Sequence, residues 1–350
     1  MRLRLPEVKF VKKIFIITGA GGFLGNNIIR KLQLNEENEI RALVLPGENL
    51  KSLEGLRCRI FSGDVTKKQT LTEIFDTPKD AIVFVIHCAA VVYIGSRYNA
   101  KVYDVNVNGT KNIIDKVLEQ QAKLVYVCSV HAIPESNDNS PVTEIYEFDP
   151  ESVEGQYAKT KAETANYVLK TVREKNLNAC IVFPSGIIGP YDFGNSHTTQ
   201  LFIDFADGRL KACVKGGYDF ADVRDVADGV INACLAGKKG ECYILSNRFV
   251  SIKELLDMIS EVRNTKKLTT ILPMWIAKFT APLSELYYSI LKQTPLYTKY
   301  SLYTLKPYCS FSNEKAKREL GFNNRDLRET VRDTVRWLEE NNRIKKYDPR

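Results

Sequence analysis

Tyr157 and Lys161 are four residues apart in a stretch whose apolar positions, Ala162, Ala165, Val168, Leu169 and Val172, recur at helical spacing. The pattern predicts a helix over residues 158–172 with the phenol and the ammonium on one face. A neighbouring ammonium favours the phenolate, so such a tyrosine can exchange a proton with a carbonyl or an alcohol near neutral pH. Ser129 follows an apolar run, 124–128, that reads as a buried strand. At that strand's carboxyl edge its hydroxyl can either donate to a reacting oxygen or cap a turn. Asn106 opens a predicted helix over 106–118, as a simple cap or as the support of a water that relays protons to Lys161. His131, two residues beyond Ser129, is a substrate hydrogen-bond donor or a wall histidine. His87 ends the apolar run 81–86 and is expected to orient backbone rather than to act as a base.

The second set with chemical meaning is Gly19, Gly22 and Gly25, which lie between a short apolar strand, 13–17, and an amphipathic segment reaching Leu34. The first glycine suits a tight turn, the second lets backbone approach a pyrophosphate, and the third allows close helix–sheet packing. This is the pattern of a dinucleotide site. Asp64, after a third strand candidate at 58–62, can accept from an adenine amino group or simply order its loop. An acid at the end of the second strand, 40–45, would select a ribose diol, and an arginine there a 2′-phosphate. The chain has Leu45-Pro46 at that point, with Arg41 before it, Lys51 after it and Glu48 beyond the strand. The positive balance and the missing strand-end carboxylate favour NADP over NAD.

These residues need a frame that brings strand ends together. Apolar strands at 13–17, 40–45, 58–62, 81–86, 124–128 and 180–183 alternate with helical segments. The alternation predicts an α/β fold: a Rossmann-type doubly wound parallel sheet covered on both faces, with a smaller, mostly helical C-terminal substrate lobe. The expected division is a nucleotide-binding unit of 10–184 plus 220–250, a substrate lobe of 185–219 plus 251–330, and a C-terminal helix and basic tail over 331–350. Tyr191, Phe193, Trp275, Phe279, Leu283, Leu286, Tyr287 and Tyr288 supply candidates for an apolar or aromatic substrate wall.

Taken in order, the motifs resemble the extended short-chain dehydrogenase/reductase family, the NAD-dependent epimerase/dehydratase-like group. Thr18-Gly-Ala-Gly-Gly-Phe-Leu-Gly25 is similar to its cofactor loop, which implies contacts at Phe23 and Leu24 beside the glycines. Gly63-Asp64-Val65-Thr66 resembles the adenine-side motif, implying Asp64 and Val65. His87-Cys-Ala-Ala90 resembles the fourth-strand motif, implying Ala89, and Pro184-Ser-Gly-Ile-Ile-Gly-Pro190 the segment beside nicotinamide, implying Pro184 and Gly186. Asn106-Val-Asn-Gly-Thr110, Cys128-Ser129, Tyr157-Ala-Lys-Thr-Lys161 and Phe220-Ala-Asp-Val-Arg-Asp225 complete the series. Within the family, Arg41-Ala-Leu-Val and Ser129-Val-His-Ala-Ile look most like dihydroflavonol 4-reductase-like and 3β-hydroxysteroid dehydrogenase-like proteins. The resemblance implies a catalytic triad of Ser129, Tyr157 and Lys161 supported by Asn106. Tyr157 and Lys161 would also touch the cofactor, and Arg41 would join it on the adenosine side. The implied activity is reversible hydride transfer between nicotinamide and a ketone or secondary alcohol, with His131, Tyr191 and Phe193 near the substrate. A nucleotide-sugar epimerase with tightly bound NAD, or a non-catalytic dinucleotide-binding regulator, are the alternatives. The plant-type reductases carry an arginine where this chain has Leu45.

Composition narrows the setting. The chain has 350 residues, a formal charge of +8, 44% hydrophobic residues and 26% charged, which excludes a disordered tail or a fibre. The basic charge is dispersed and no recognition module accompanies it, so no nucleic acid partner is expected. Eight cysteines without a CxxC pair and three histidines argue for free thiols in a cytoplasmic setting and against a metal site. Residues 271–291 are apolar but interrupted by Lys278 and Glu285, which favours a substrate wall over peripheral membrane contact. Helices at 101–120 and 156–175 are candidates for a homodimer interface.

Overall fold

The computed structural model describes residues 11–95, 97–134, 140–276, 279, 305 and 309–346. Its centre is a seven-stranded parallel sheet. The strands are β1 (Lys13–Thr18), β2 (Asn38–Val44), β3 (Arg59–Ser62), β4 (Ile82–His87), β5 (Lys123–Val127), β6 (Ala179–Pro184) and, from later in the chain, β10 (Cys242–Leu245). Their spatial order is β10-β6-β5-β4-β1-β2-β3. The strand order therefore reverses direction between β1 and β4, the position at which sheets of this kind bind ligands at their carboxyl ends.

Alternate side chains of β1 face opposite layers. Ile14 and Ile16 pack with Ile113, Ile114 and Val117 of α3 (Thr110–Gln120) and with Ala158, Ala162, Ala165 and Val168 of α4 (Gln156–Lys175). Phe15 and Ile17 pack with Ile28 and Ile29 of α1 (Phe23–Leu32) and with Val226, Val230 and Ala233 of α6 (Val223–Ala236). Both faces of the sheet are covered, so the strands read as continuous apolar runs. The three alanines on one face of α4 let that helix lie close to the sheet.

A third apolar cluster stands apart from these two. It joins α5 (His197–Ala206), α7 (Ile252–Val262) and the last helix, α9 (Leu327–Glu340), around a small sheet of β7 (Gly186–Ile188), β9 (Gly217–Asp222) and β11 (Arg248–Ser251). The short α8 (Glu314–Leu320) packs instead on α6 and β10, and a two-residue pair, β8 (Cys213–Val214) with β12 (Ile271–Leu272), completes the strands. Among the described residues no helix is long and apolar enough to cross a membrane.

The helix expected to begin at Asn106 begins earlier. Asn99 caps it by accepting from Lys101 N, α2 (Ala100–Tyr103) follows, and the chain passes through a π-type segment, Asp104–Gly109, into α3. Asn106 is thus inside a helical run rather than at its start.

Candidate active site

The glycine loop turns directly out of β1. Gly19 has φ +65°, and a Cβ there would stand 2.8 Å from Ala89 N and 2.9 Å from Ala89 Cα. A Cβ on Gly25 would collide with the Gly19 carbonyl, and one on Gly22 would approach it to 3.1 Å. Gly22 is the cap residue of α1 and contributes no side chain there. The loop is a backbone cradle at a helix N-terminus, which suits a pyrophosphate. Leu24 is buried in the sheet-facing core, and Phe23 is half-buried against it.

A buried hydrogen-bond chain fixes the crossing of this loop with the end of β4. Ala89 N donates to Thr18 Oγ1 (3.1 Å), which is 2.6 Å from His87 Nδ1. His87 Nε2 is 2.9 Å from Thr110 Oγ1, whose hydroxyl donates to Asn106 O (2.6 Å). Since Thr110 commits its proton to Asn106, Nε2 of His87 carries the hydrogen and Nδ1 accepts from Thr18. Burial, helped by the Lys161 charge, lowers the His87 pKa to about 3, so the ring is neutral. Its expected role of orienting backbone is the one this geometry describes.

Tyr157 and Lys161 share a buried face of α4. Lys161 Nζ donates to Val127 O over 2.8 Å and lies 6.0 Å from the Tyr157 ring centre and 4.9 Å from that of Tyr126. Burial lowers the Lys161 pKa from the ordinary lysine value. Ser129, two residues beyond Val127, accepts from His131 N at 3.3 Å through Oγ, which leaves its hydroxyl hydrogen to donate elsewhere. The exposed His131 places its ring edge-on to Tyr157, with centres 6.4 Å apart. Ser129, Tyr157, Lys161 and His131 are therefore gathered at the ends of β5 and α4. Pro184 ends β6 in the same sheet, and Gly186 packs against β9, where a Cβ would meet Asp219 O at 2.9 Å.

Asn106 supports this group from behind. Its amide brackets Val91, accepting from Val91 N (2.8 Å) and donating to Val91 O (3.2 Å), and also donates to Thr160 Oγ1 (3.1 Å). Its carbonyl takes hydroxyls from both Thr110 and Thr164. Those contacts make it a positioning residue for the loop after β4 and for α4, rather than a helix cap.

Several expected contacts lie elsewhere. Arg41 is in the middle of β2, only 4% exposed. Its guanidinium is engaged within the fold by Glu39 Oε1 (2.6 Å), Ile74 O (2.9 Å) and Asp76 O (2.7 Å) rather than offered to the adenosine side. Tyr191 and Phe193 pack on Trp337, with ring centres 6.0 and 5.2 Å away, and the Arg30 guanidinium covers Tyr191 at 4.0 Å. They are partly buried and pack against the third apolar cluster. Trp275 and Phe279 are 71% and 76% exposed, whereas Leu283, Leu286, Tyr287 and Tyr288 lie outside the described residues. Asp64 closes a local turn by accepting from Thr66 N (2.9 Å) and Thr66 Oγ1 (2.8 Å), and the Val65 side chain is in the core. Among the described residues no group of His, Cys, Asp or Glu is placed to hold a metal ion.

Glu48, which by sequence lies beyond the second strand, is brought by the structure against Gly21 of the glycine loop. Leu45-Pro46-Gly47-Glu48 is a tight turn closed by Glu48 N to Leu45 O (3.0 Å), with Gly47 at φ +78°. The Pro-Gly pair at its centre was the available signal.

Comparison with known proteins agrees with this architecture. Residues 15–246 match the family model described as the NAD dependent epimerase/dehydratase family, and the chain belongs to that family. It is 27% identical over 334 residues, covering 94% of this chain and 99% of the relative, to "Sterol demethylase protein B" of Methylococcus capsulatus. It is also 27% identical over 338 residues, covering 95% and 96% of the two chains, to a Synechocystis protein provisionally named as a dihydroflavonol 4-reductase. The solved structure of gox2253 superposes with a TM-score of 0.81 at 30% identity, covering 95% of this chain and 99% of that one.

Proposed function

We propose that the protein is a nicotinamide-dinucleotide oxidoreductase that interconverts a ketone and a secondary alcohol on an apolar or aromatic substrate. The observation that carries this reading is the placement of Lys161 Nζ, 2.8 Å from Val127 O and 6.0 Å from the Tyr157 ring centre, with Val127 two residues before Ser129. The glycine cradle, where added Cβ atoms would strike backbone, fits the dinucleotide. Bound nicotinamide would supply or accept the hydride.

The chain's own residues handle the proton and the charge. Tyr157 gives its phenolic proton to the carbonyl oxygen during reduction and takes it back during oxidation. Lys161, held by Val127, stabilises the phenolate that results. The Ser129 hydroxyl donates to the reacting oxygen and fixes it beside Tyr157. Residues 10–184 plus 220–250 serve the dinucleotide in this reading, and 185–219 plus 251–330 the substrate. The names of the two relatives support a sterol-like or flavonoid-like ketone.

The test is Tyr157→Phe. Loss of turnover by about 10²–10⁴-fold, with dinucleotide affinity retained, is the expected result, and unchanged turnover would refute the role.

A further inference from the structure

The helix that carries Tyr157 starts on a residue that cannot cap it. Gly155 stands at the N-cap position of α4 with φ +85°, a conformation that favours glycine, and it makes no side-chain cap hydrogen bond. The first turn of a helix has amides without intrahelical partners, and a turn without a cap frays more readily. Tyr157 is the second residue of that turn. Its phenol must nevertheless be held in place beside the reacting oxygen if a proton is to pass between them.

Gln156, the first residue of the turn, ties it down from inside. Its half-buried carboxamide pairs reciprocally with one backbone unit that follows the β4 loop: Oε1 accepts from Asn99 N (2.8 Å), and Nε2 donates to Asn99 O (2.7 Å). Two bonds to one residue fix direction as well as distance. Asn99 is itself anchored, since its side chain accepts from Lys101 N and caps α2. One turn further along α4, Thr160 Oγ1 accepts from Asn106, whose amide brackets Val91. Asn99 and Val91, at the two ends of the loop after β4, are thus fastened to α4 at residues 156 and 160, on either side of Tyr157. Tyr103 Oη, donating to Glu163 Oε1 at 2.9 Å, continues the same seam.

We infer that Gln156 is a positioning residue for Tyr157: its pairing with Asn99 holds the first turn of α4 where the phenol meets the reacting oxygen. The inference rests on the oxidoreductase reading above and adds to it a residue outside the set of Ser129, Tyr157 and Lys161. Lys161 keeps its own anchor at Val127 O, and the glycine loop follows a different strand, β1. The tie therefore governs the proton donor and leaves the dinucleotide cradle alone.

The test compares Gln156→Ala and Gln156→Glu with the wild-type protein, using a 3-ketosteroid and a dihydroflavonol as probes with NADH or NADPH. Gln156→Ala should lose about 10–10²-fold in kcat, with KM and the calorimetric affinity for the dinucleotide within about twofold. Gln156→Glu separates hydrogen bonding from packing. Its carboxylate can accept from Asn99 N but has no proton for Asn99 O, whereas the protonated acid restores both bonds. Its rate relative to wild type should therefore be low at pH 8 and rise as the pH falls toward about 5.5. The charged side chains flanking the pair in sequence are Arg97 and Lys101 on one side and Glu154 and Lys159 on the other, with Lys159 bonded to Glu151 Oε2. Hydrogen exchange supplies a readout without substrate: the Asn99 amide should exchange at least about tenfold faster in Gln156→Ala. Thermal melting checks folding, and if Gln156→Ala does not fold, the pH profile of Gln156→Glu carries the test. Wild-type kcat or unchanged Asn99 exchange in Gln156→Ala, or a relative rate in Gln156→Glu that does not move with pH, would overturn the inference while leaving the oxidoreductase reading intact. Absence of turnover of either probe by the wild-type protein would overturn both.

Discussion

The Lys161 ammonium donates to the Val127 carbonyl over 2.8 Å, joining α4 to the strand that leads into Ser129. This contact sets the height of the ammonium beneath Tyr157, 6.0 Å from its ring centre. A buried cation held by one carbonyl has little stability to offer. Its removal relieves the desolvation of the charge and at the same time leaves the carbonyl with one donor fewer.

Lys161→Met should therefore separate activity from stability. Turnover should fall by about 10²-fold or more, since the phenolate loses its cation. The unfolding free energy should change by no more than about 2 kcal/mol, because the two effects oppose each other. Initial rates and urea unfolding measured on the same preparation check both halves.

Gly19→Ala attacks the cradle through the backbone. The residue has φ +65°, and the new Cβ would stand 2.8 Å from Ala89 N. The strained conformation and the close contact together should cost about 2–4 kcal/mol of stability. Dinucleotide affinity should fall with it. A variant with wild-type stability in urea and wild-type affinity would show that the loop and the end of β4 are not packed as described.

His87 gives the fold a pH dependence with a defined sign. Its folded pKa is depressed to about 3, below the ordinary value of 6.5. The unfolded chain therefore binds the extra proton between those two values, and stability falls as pH drops through that window. The loss should reach about 2 kcal/mol by pH 5, at about 1.4 kcal/mol per pH unit once below the unfolded value. His87→Gln should be less stable at neutral pH and should lack that share of the slope. Unfolding midpoints at several pH values test this, and parallel slopes in the two proteins would contradict it.

The sheet was legible because its strands are buried on both faces. Runs such as Ile14 to Ile17 and Leu124 to Val127 leave little alternative to a covered parallel strand. The spacing of Tyr157 and Lys161 placed both on one helix face for the same elementary reason. What escaped the sequence depends on long-range partners. Arg41 reads as an accessible cation because its partners Ile74 O and Asp76 O, which hold its guanidinium inside the fold, lie more than thirty residues away. Tyr191 and Phe193 looked like a pocket because nothing local announces Trp337 as their partner. Asn106 looked like a helix start because the capping side chain, Asn99, precedes a segment whose helical spacing is interrupted by the π-type turn.

Net redox chemistry on a ketone or alcohol requires a dinucleotide that exchanges with solution. The direct measurement is the stoichiometry between nicotinamide oxidised and alcohol formed when NADH or NADPH is offered with a panel of sterol-like and flavonoid-like ketones. Equal amounts of the two are expected, abolished in Tyr157→Phe. Interconversion of a nucleotide sugar with no net consumption of added nicotinamide, and no turnover across the ketone panel, would contradict that expectation.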